Sequence, residues 1–190
     1  MQFKRTLIIS ILISINVVSS AQDYAIDDGA AILLFSGYYS NMGGKLFEGE
    51  TKDRINSINV SPAYHHFITK GLFFGAGLSM SHNKQGEDKT YSLGIGPNIG
   101  YAFGNESSTM YPFFDVCFRF MNGKGNNTDL KSFTGTGTAF DLGLIIPVKN
   151  HIGIIIEGSY NIVKFNNKSS SYSASGNVFA FGIGMTGLLF

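Results

Sequence analysis

The segment from Tyr91 to Phe103 alternates strictly between large apolar side chains and small ones. The large set occupies the odd-numbered positions: Tyr91, Leu93, Ile95, Pro97, Ile99, Tyr101 and Phe103. The small set occupies the even-numbered positions: Ser92, Gly94, Gly96, Asn98, Gly100 and Ala102. Because successive side chains of a β-strand point to opposite faces, this pattern predicts a strand with one apolar face and one nearly bare face.

The same alternation recurs along the chain and predicts eight strands. The segments are 30–39, 55–67, 71–81, 91–103, 111–121, 134–149, 151–163 and 177–190. A tilted strand crosses a bilayer in about 9 to 11 residues, so each segment is long enough to do so. Within the clearer strands, every charged residue falls on the face of small residues. A soluble barrel has the opposite polarity, so the apolar face is predicted to contact lipid and the bare face to line a narrow lumen.

The connections between the predicted strands alternate in length. Four are long and polar: 40–54, 82–89, 122–132 and 164–175. Three are short: 69–71, 104–109 and 149–151. Long external loops and short periplasmic turns are typical of outer-membrane barrels. The prediction is an all-β fold, an eight-stranded antiparallel up-and-down transmembrane β-barrel with both termini in the periplasm.

The first 21 residues have the features of a cleaved signal peptide. Lys4 and Arg5 precede an apolar run of roughly 12 residues, and small residues stand at Ser19 and Ala21. A membrane anchor needs about 18 or more apolar residues, which this run lacks. The predicted organisation is a signal peptide over 1–21 and a barrel domain over 22–190.

Composition agrees with an exported membrane protein and argues against several other functions. Charged residues make up 14% of the chain, against about 25% in soluble domains. The net charge of +1 gives no reason to expect a nucleic-acid partner. Cys117 is the only cysteine, so neither a disulfide nor a cysteine metal cluster is predicted. His65 and His66 face opposite sides of one strand, and no catalytic, cofactor-binding or metal site is expected.

The chain resembles the small outer-membrane barrels of the OmpA/OmpX type and the broader outer membrane protein β-barrel domain family. The resemblance rests on the signal peptide, the eight alternating segments, the loop asymmetry and the C-terminal Phe190. It implies a monomer without cofactor in a bacterial outer membrane, whose partners are the lipid bilayer and a surface ligand of the loops. It favours envelope structure or adhesion over enzymatic activity. A narrow channel or carrier for small or hydrophobic solutes is the alternative, and a lipid-modifying barrel enzyme comes third.

The C-terminal residue and two prolines do not fit regular strands and predict local irregularities. Phe190 falls on the small-residue face of the last segment, which a β-bulge near Gly187 would correct. Pro62 and Pro97 lie inside strands, where proline has no N–H to donate to the ladder. Each is therefore expected at a bulge or a local bend.

Four charged residues are predicted to lie inside the barrel and to have a structural role: Arg119, Asp115, Asp141 and Glu157. An eight-stranded barrel has room inside only for side chains, so an ionised carboxylate there needs a partner. Arg119, with five donors in a rigid fork, is expected to pair with Asp141 and also with Glu157. A gate or proton path is the functional alternative to this internal salt-bridge network.

Overall fold

The computed structural model describes residues 25–42, 53–126, 132–149, 151–167 and 173–189. It contains eight strands: β1 (Ala31–Met42), β2 (Ile55–Thr69), β3 (Leu72–Gln85), β4 (Asp88–Ala102), β5 (Tyr111–Gly125), β6 (Phe133–Lys149), β7 (Ile152–Asn167) and β8 (Ser173–Leu189). Each strand pairs in antiparallel fashion with the next, and β1 closes the barrel against β8. The predicted eight-stranded antiparallel up-and-down barrel is confirmed. The signal peptide over 1–21 lies outside the described residues.

The two faces of the strands have the polarity that the alternation predicted. Large apolar side chains are exposed on the outside, among them Phe179 (74%), Leu142 (70%) and Ile95 (59%). The opposite parity points inward and carries glycine, serine and the charged residues in the middle of the barrel. Lysines near one end of the strands, such as Lys84 and Lys89, lie on the outer parity. No helix within the described ranges is long and apolar enough to cross a bilayer.

The barrel has two distinct ends. We call the end that holds the connections 70–71, 103–110 and 150–151 the turn end, and the opposite end the loop end. The loop end has connections at 43–54, 86–87, 126–132 and 168–172. The asymmetry is smaller than predicted, because β3 and β4 continue to a turn at Gly86 and Glu87 where an eight-residue loop was expected. At the turn end, the connection at 103–110 is longer than the predicted 104–109.

A buried apolar layer fills the barrel at its turn end. It consists of Ala25, Ile26, Ala30, Ile32, Leu34, Phe67, Phe73, Ala102, Tyr111, Phe113, Ile145, Ile155 and Leu188. The segment before β1 contributes to this layer and is fixed by backbone hydrogen bonds, from Gly71 N to Ile26 O and from Gly29 N to Phe67 O, both 2.9 Å. The prediction of a polar interior therefore holds for the middle of the barrel and is wrong at the turn end, where apolar side chains close it.

The prolines inside strands interrupt pairing without shifting the register. The β4–β5 ladder pairs Ile95 with Phe120 and resumes at Asn98 with Cys117 in the same register. The β2–β3 ladder has a similar gap after Val60. Each proline thus causes a local gap in pairing in place of a bulge.

The register shifts of the described strands lie elsewhere, at the turn end of the barrel. They fall between Phe67 and Thr69 and between Pro147 and Lys149. The pairing of β8 with β1 runs through Leu189 without a shift. The expected bulge near Gly187 is absent, and Phe190 lies outside the described residues.

Candidate functional site

The most polar part of the interior is centred on β5 and β6, just above the apolar layer. Asp115 on β5 is the register partner of Asp141 on β6, and both point inward. Cys117 follows two residues after Asp115 on the same face. Its Sγ atom lies 3.4 Å from Asp141 Oδ2 and 3.8 Å from Asp115 Oδ2. Ligand atoms of the three side chains all lie within 4.8 Å of one another.

His65 on β2 approaches this group from the other side of the lumen. Its Nε2 atom lies 3.8 Å from Asp115 Oδ2 and contacts the Asn98 amide on β4. The imidazole stacks on Phe73, with ring centroids 4.3 Å apart and an interplanar angle of 10°. His65 and Asn98 are 3% and 2% exposed. The histidine is therefore held between the ring of Phe73 on one side and the polar groups of Asp115 and Asn98 on the other.

Gly75 on β3 makes this contact across three strands possible. It is the register partner of both His65 and Asn98. A Cβ atom at Gly75 would lie 2.8 Å from Asn98 Oδ1 and 2.0 Å from Tyr64 O. Because no side chain stands between them, His65 and Asn98 meet over the bare backbone of β3.

Arg119 does not occupy the position predicted for it. Its Nη1 atom donates to the carbonyl oxygens of Gly96 (3.2 Å), Pro97 (3.2 Å) and Phe118 (3.0 Å). A Cβ atom at Gly77 would lie only 2.5 Å from Arg119 Nη2, so the guanidinium extends over β4 towards β3. Gly96 and Pro97 are the residues left unpaired with β5, and the arginine satisfies the carbonyl groups that this gap exposes. No ion pair between Arg119 and a carboxylate is found among the described residues, so the expected pairs with Asp141 and Glu157 are wrong.

Glu157 lies on β7, the strand next to β6, and lines the same lumen as the Asp115 group. Its Oε1 atom and the ring of Tyr38 both lie next to Gly182, at 3.6 Å and 3.5 Å from where a Cβ atom would stand. Tyr38 and Glu157 line one interior cavity of about 110 Å³, together with His65, Asn98, Arg119 and the Asp115 group. That volume is enough for a few water molecules or an ion.

Several polar atoms in this region have no hydrogen-bond partner. They are Asp115 Oδ1, Asp141 Oδ1 and Asn98 Oδ1. Asp115 is 4% exposed, and an unpaired buried carboxylate is costly. The two aspartates therefore require a shared proton, water or a cation between them.

The sequence placed the four interior charges on the correct face and missed how they group. Asp115, Asp141, Arg119 and Glu157 all line the cavity, and their structural role remains a prediction. His65 and Cys117 were set aside, yet the fold brings both to Asp115. Asp115 was also not paired with Asp141 from the sequence, whereas the two are register partners.

Comparisons with known proteins show a likeness of fold alone. No protein-family model matches the sequence, and no curated protein matches it. Among solved structures, Neisserial surface protein A is 16% identical with a TM-score of 0.56, over 84% of this chain and 97% of that one. The N-terminal β-barrel domain of Pseudomonas aeruginosa OprF is 13% identical with a TM-score of 0.51, over 86% and 98%. Outer membrane protein OprG of P. aeruginosa is 12% identical with a TM-score of 0.50, over 86% and 97%. The resemblance to small eight-stranded outer-membrane barrels is thus confirmed as a fold.

Proposed function

We propose that the chain is exported to a bacterial outer membrane, spans it as a monomeric barrel, and acts through its loop end in surface contact or envelope structure. The observation that carries the proposal is the closed interior. At the turn end the lumen is filled by the apolar layer, which includes the fully buried Phe67, Phe73, Ile145 and Ile155. A barrel that is closed in this way offers its outer wall and its loop end as functional surfaces.

The outer wall supports insertion into a bilayer. Its exposed residues include Phe35, Phe120, Phe179, Phe181, Ile183 and Met185, each more than half exposed. Soluble monomers rarely expose apolar patches of this extent. A belt of this kind around a closed barrel is the surface that lipid chains cover.

Basic residues on the outer wall support the orientation of the barrel. Lys84, Lys89 and Lys124 are exposed near the loop end, and Lys84 is the register partner of Lys89. Like charges directly opposite each other on a sheet are destabilising. Anionic lipid headgroups at the membrane surface would offset this repulsion, which supports a position of the loop end at the level of lipid phosphate.

Membrane fractionation together with a loop-end tag tests this proposal. We expect the protein in the outer-membrane fraction. Its intact mass should be that of a mature chain whose first residue is Gln22. A tag inserted at Glu87, in the turn between β3 and β4, should be labelled on intact cells, whereas a tag in the 103–110 turn should require permeabilised cells. Recovery from the soluble fraction, or the reverse labelling, would refute the proposal.

A narrow channel or carrier is the second candidate, and the polar cavity of about 110 Å³ is the observation in its favour. Single-channel recording in planar bilayers separates the two functions. The closed turn end predicts that the wild-type barrel is silent. Regular openings of the wild type would make the channel the better proposal.

A further inference from the structure

The interior cluster of Asp115, Cys117 and Asp141 has the composition of a metal site. It combines two carboxylates with the only thiol of the chain, and the three ligand atoms lie within 4.8 Å of one another. Zinc in proteins takes cysteine sulfur, histidine nitrogen and carboxylate oxygen, usually in tetrahedral geometry. We propose that these three side chains bind a divalent cation inside the barrel, with zinc as the favoured ion.

The separations between donor atoms agree with a tetrahedral ion. Bonds of about 2.3 Å to sulfur and about 2.0 Å to oxygen place a sulfur and an oxygen ligand about 3.5 Å apart around zinc. Cys117 Sγ lies 3.4 Å from Asp141 Oδ2 and 3.8 Å from Asp115 Oδ2. These two separations are therefore close to those that zinc requires between its sulfur and oxygen ligands.

The burial and charge of the cluster independently call for a cation. Asp115 and Cys117 are 4% and 5% exposed, and Asp115 Oδ1 points to no hydrogen-bond partner. Arg119, the nearest candidate counter-ion by sequence, is bonded to backbone carbonyl groups instead. A divalent ion would offset two of the three negative charges that the two carboxylates and the Cys117 thiolate carry as ligands, and the thiol proton would be released to water on binding.

A cation at the proposed site would link two neighbouring strands. Two of its ligands lie on β5 and the third on β6, so the ion joins neighbouring strands in the middle of the barrel. The fourth position of the ion is open to water from the cavity. His65 Nε2 lies 3.8 Å from Asp115 Oδ2 and shares a hydrogen bond with the Asn98 amide. The histidine therefore helps to orient the Asp115 carboxylate.

Cobalt spectroscopy tests the site, since Co²⁺ replaces Zn²⁺ in such sites and a bound thiolate gives a charge-transfer band in the near ultraviolet. The full chain would be unfolded in denaturant with a chelator and a reductant, then refolded into detergent with Co²⁺ alone. We expect one cobalt per chain and a thiolate band, which can only come from Cys117. One equivalent of Zn²⁺ should abolish the band.

Three variants assign the ligands. Cys117→Ser should lose the band, and Asp141→Asn should weaken cobalt binding by more than about tenfold, since loss of even an outer-shell partner costs 10- to 100-fold. Glu157→Gln removes an interior carboxylate outside the cluster and should bind cobalt like wild type. Heat-dependent gel mobility confirms that each barrel has folded.

The wild-type spectrum decides the question even if a variant fails to fold. Absence of stoichiometric cobalt, or cobalt without a thiolate band, would overturn the proposal and leave a shared proton between Asp115 and Asp141 as the explanation. Equal weakening by Glu157→Gln and Asp141→Asn would also overturn it, because the cation would then respond to the general charge of the lumen.

Discussion

The guanidinium of Arg119 donates a hydrogen bond to the carbonyl oxygen of Pro97, at 3.2 Å. Pro97 interrupts the pairing between β4 and β5, and the neighbouring Gly96 carbonyl receives a second bond from the same Nη1 atom. One side chain thus donates to the carbonyl oxygens that lie in the gap between β4 and β5. The arginine stabilises the backbone at this point, whereas the sequence had suggested that it neutralises carboxylates.

Replacing Arg119 with Leu should therefore destabilise the barrel through the loss of these bonds. We expect a loss of about 1.5 to 3 kcal/mol, the range for hydrogen bonds that involve a charged group. The measurement is reversible urea unfolding in lipid vesicles. Because Arg119 and Asp141 share no hydrogen-bond partner, adding Asp141→Asn should be additive within about 0.5 kcal/mol. A double variant that recovers the lost stability would show that the two residues are ion-pair partners after all.

Gly75 should be far less tolerant of substitution than a glycine in open space. Gly75→Ala places a Cβ atom 2.0 Å from Tyr64 O and 2.8 Å from Asn98 Oδ1. Overpacking of this kind typically costs about 1 to 3 kcal/mol. Gly176→Ala on β8 is the matched control, because nothing lies within 4 Å of its Cβ position. If unfolding in lipid vesicles showed equal stability for the two variants, the contact between His65 and Asn98 over β3 would be in doubt.

The strand count and the orientation of the faces could be predicted from the sequence, because alternation with a period of two is a local property of the chain. Ile95 and Ile99 were correctly placed outside on that basis. The interior could not be predicted in the same way, because it depends on the register between strands that are distant in sequence. Asp115 and Asp141 are 26 residues apart, and only the β5–β6 register makes them neighbours.

The apolar layer and the role of Asn98 were missed for a related reason. Leu188 and Phe67 lie on the inward face, where small and polar residues were expected, and they pack together only because all strands end there. Asn98 belongs to the small-residue set by parity alone. Its contact with His65 across β3 depends on a glycine in a third strand.

The segment before β1 should contribute strongly to stability through Ile26, which is fully buried at the turn end. Truncation of a buried isoleucine to alanine costs about 2 to 5 kcal/mol, and Ile26→Ala is expected within this range. Ile99→Ala on β4 removes the same atoms from a side chain that is 52% exposed on the outer wall, so its effect should be smaller. Urea unfolding in vesicles compares the two. If Ile26→Ala were no more destabilising than Ile99→Ala, the segment would not be part of the folded core.

A charged substitution on the outer wall should destabilise the barrel more, the closer it lies to the middle of the bilayer. Ile95 lies near the middle of β4, is 59% exposed and faces away from the lumen. An arginine at the midplane of a lipid-facing wall costs about 2 to 4 kcal/mol, and the cost falls to about 0 to 1 kcal/mol near the interfaces. Ile95→Arg should therefore lower the free energy of unfolding in vesicles by about 2 to 4 kcal/mol.

Two controls separate lipid exposure from damage to the fold. Ile95→Leu keeps the apolar wall and should cost less than about 1.5 kcal/mol, as expected for a swap that conserves volume. Tyr91→Arg lies on the same face of β4, four residues nearer the loop end and beside Lys124, where lipid headgroups are expected. Because an arginine there can reach water and phosphate, its cost should fall well below that of Ile95→Arg. Equal costs for the two arginine variants would mean that the wall has no membrane midplane at Ile95, which would contradict the proposed position of the barrel in the bilayer.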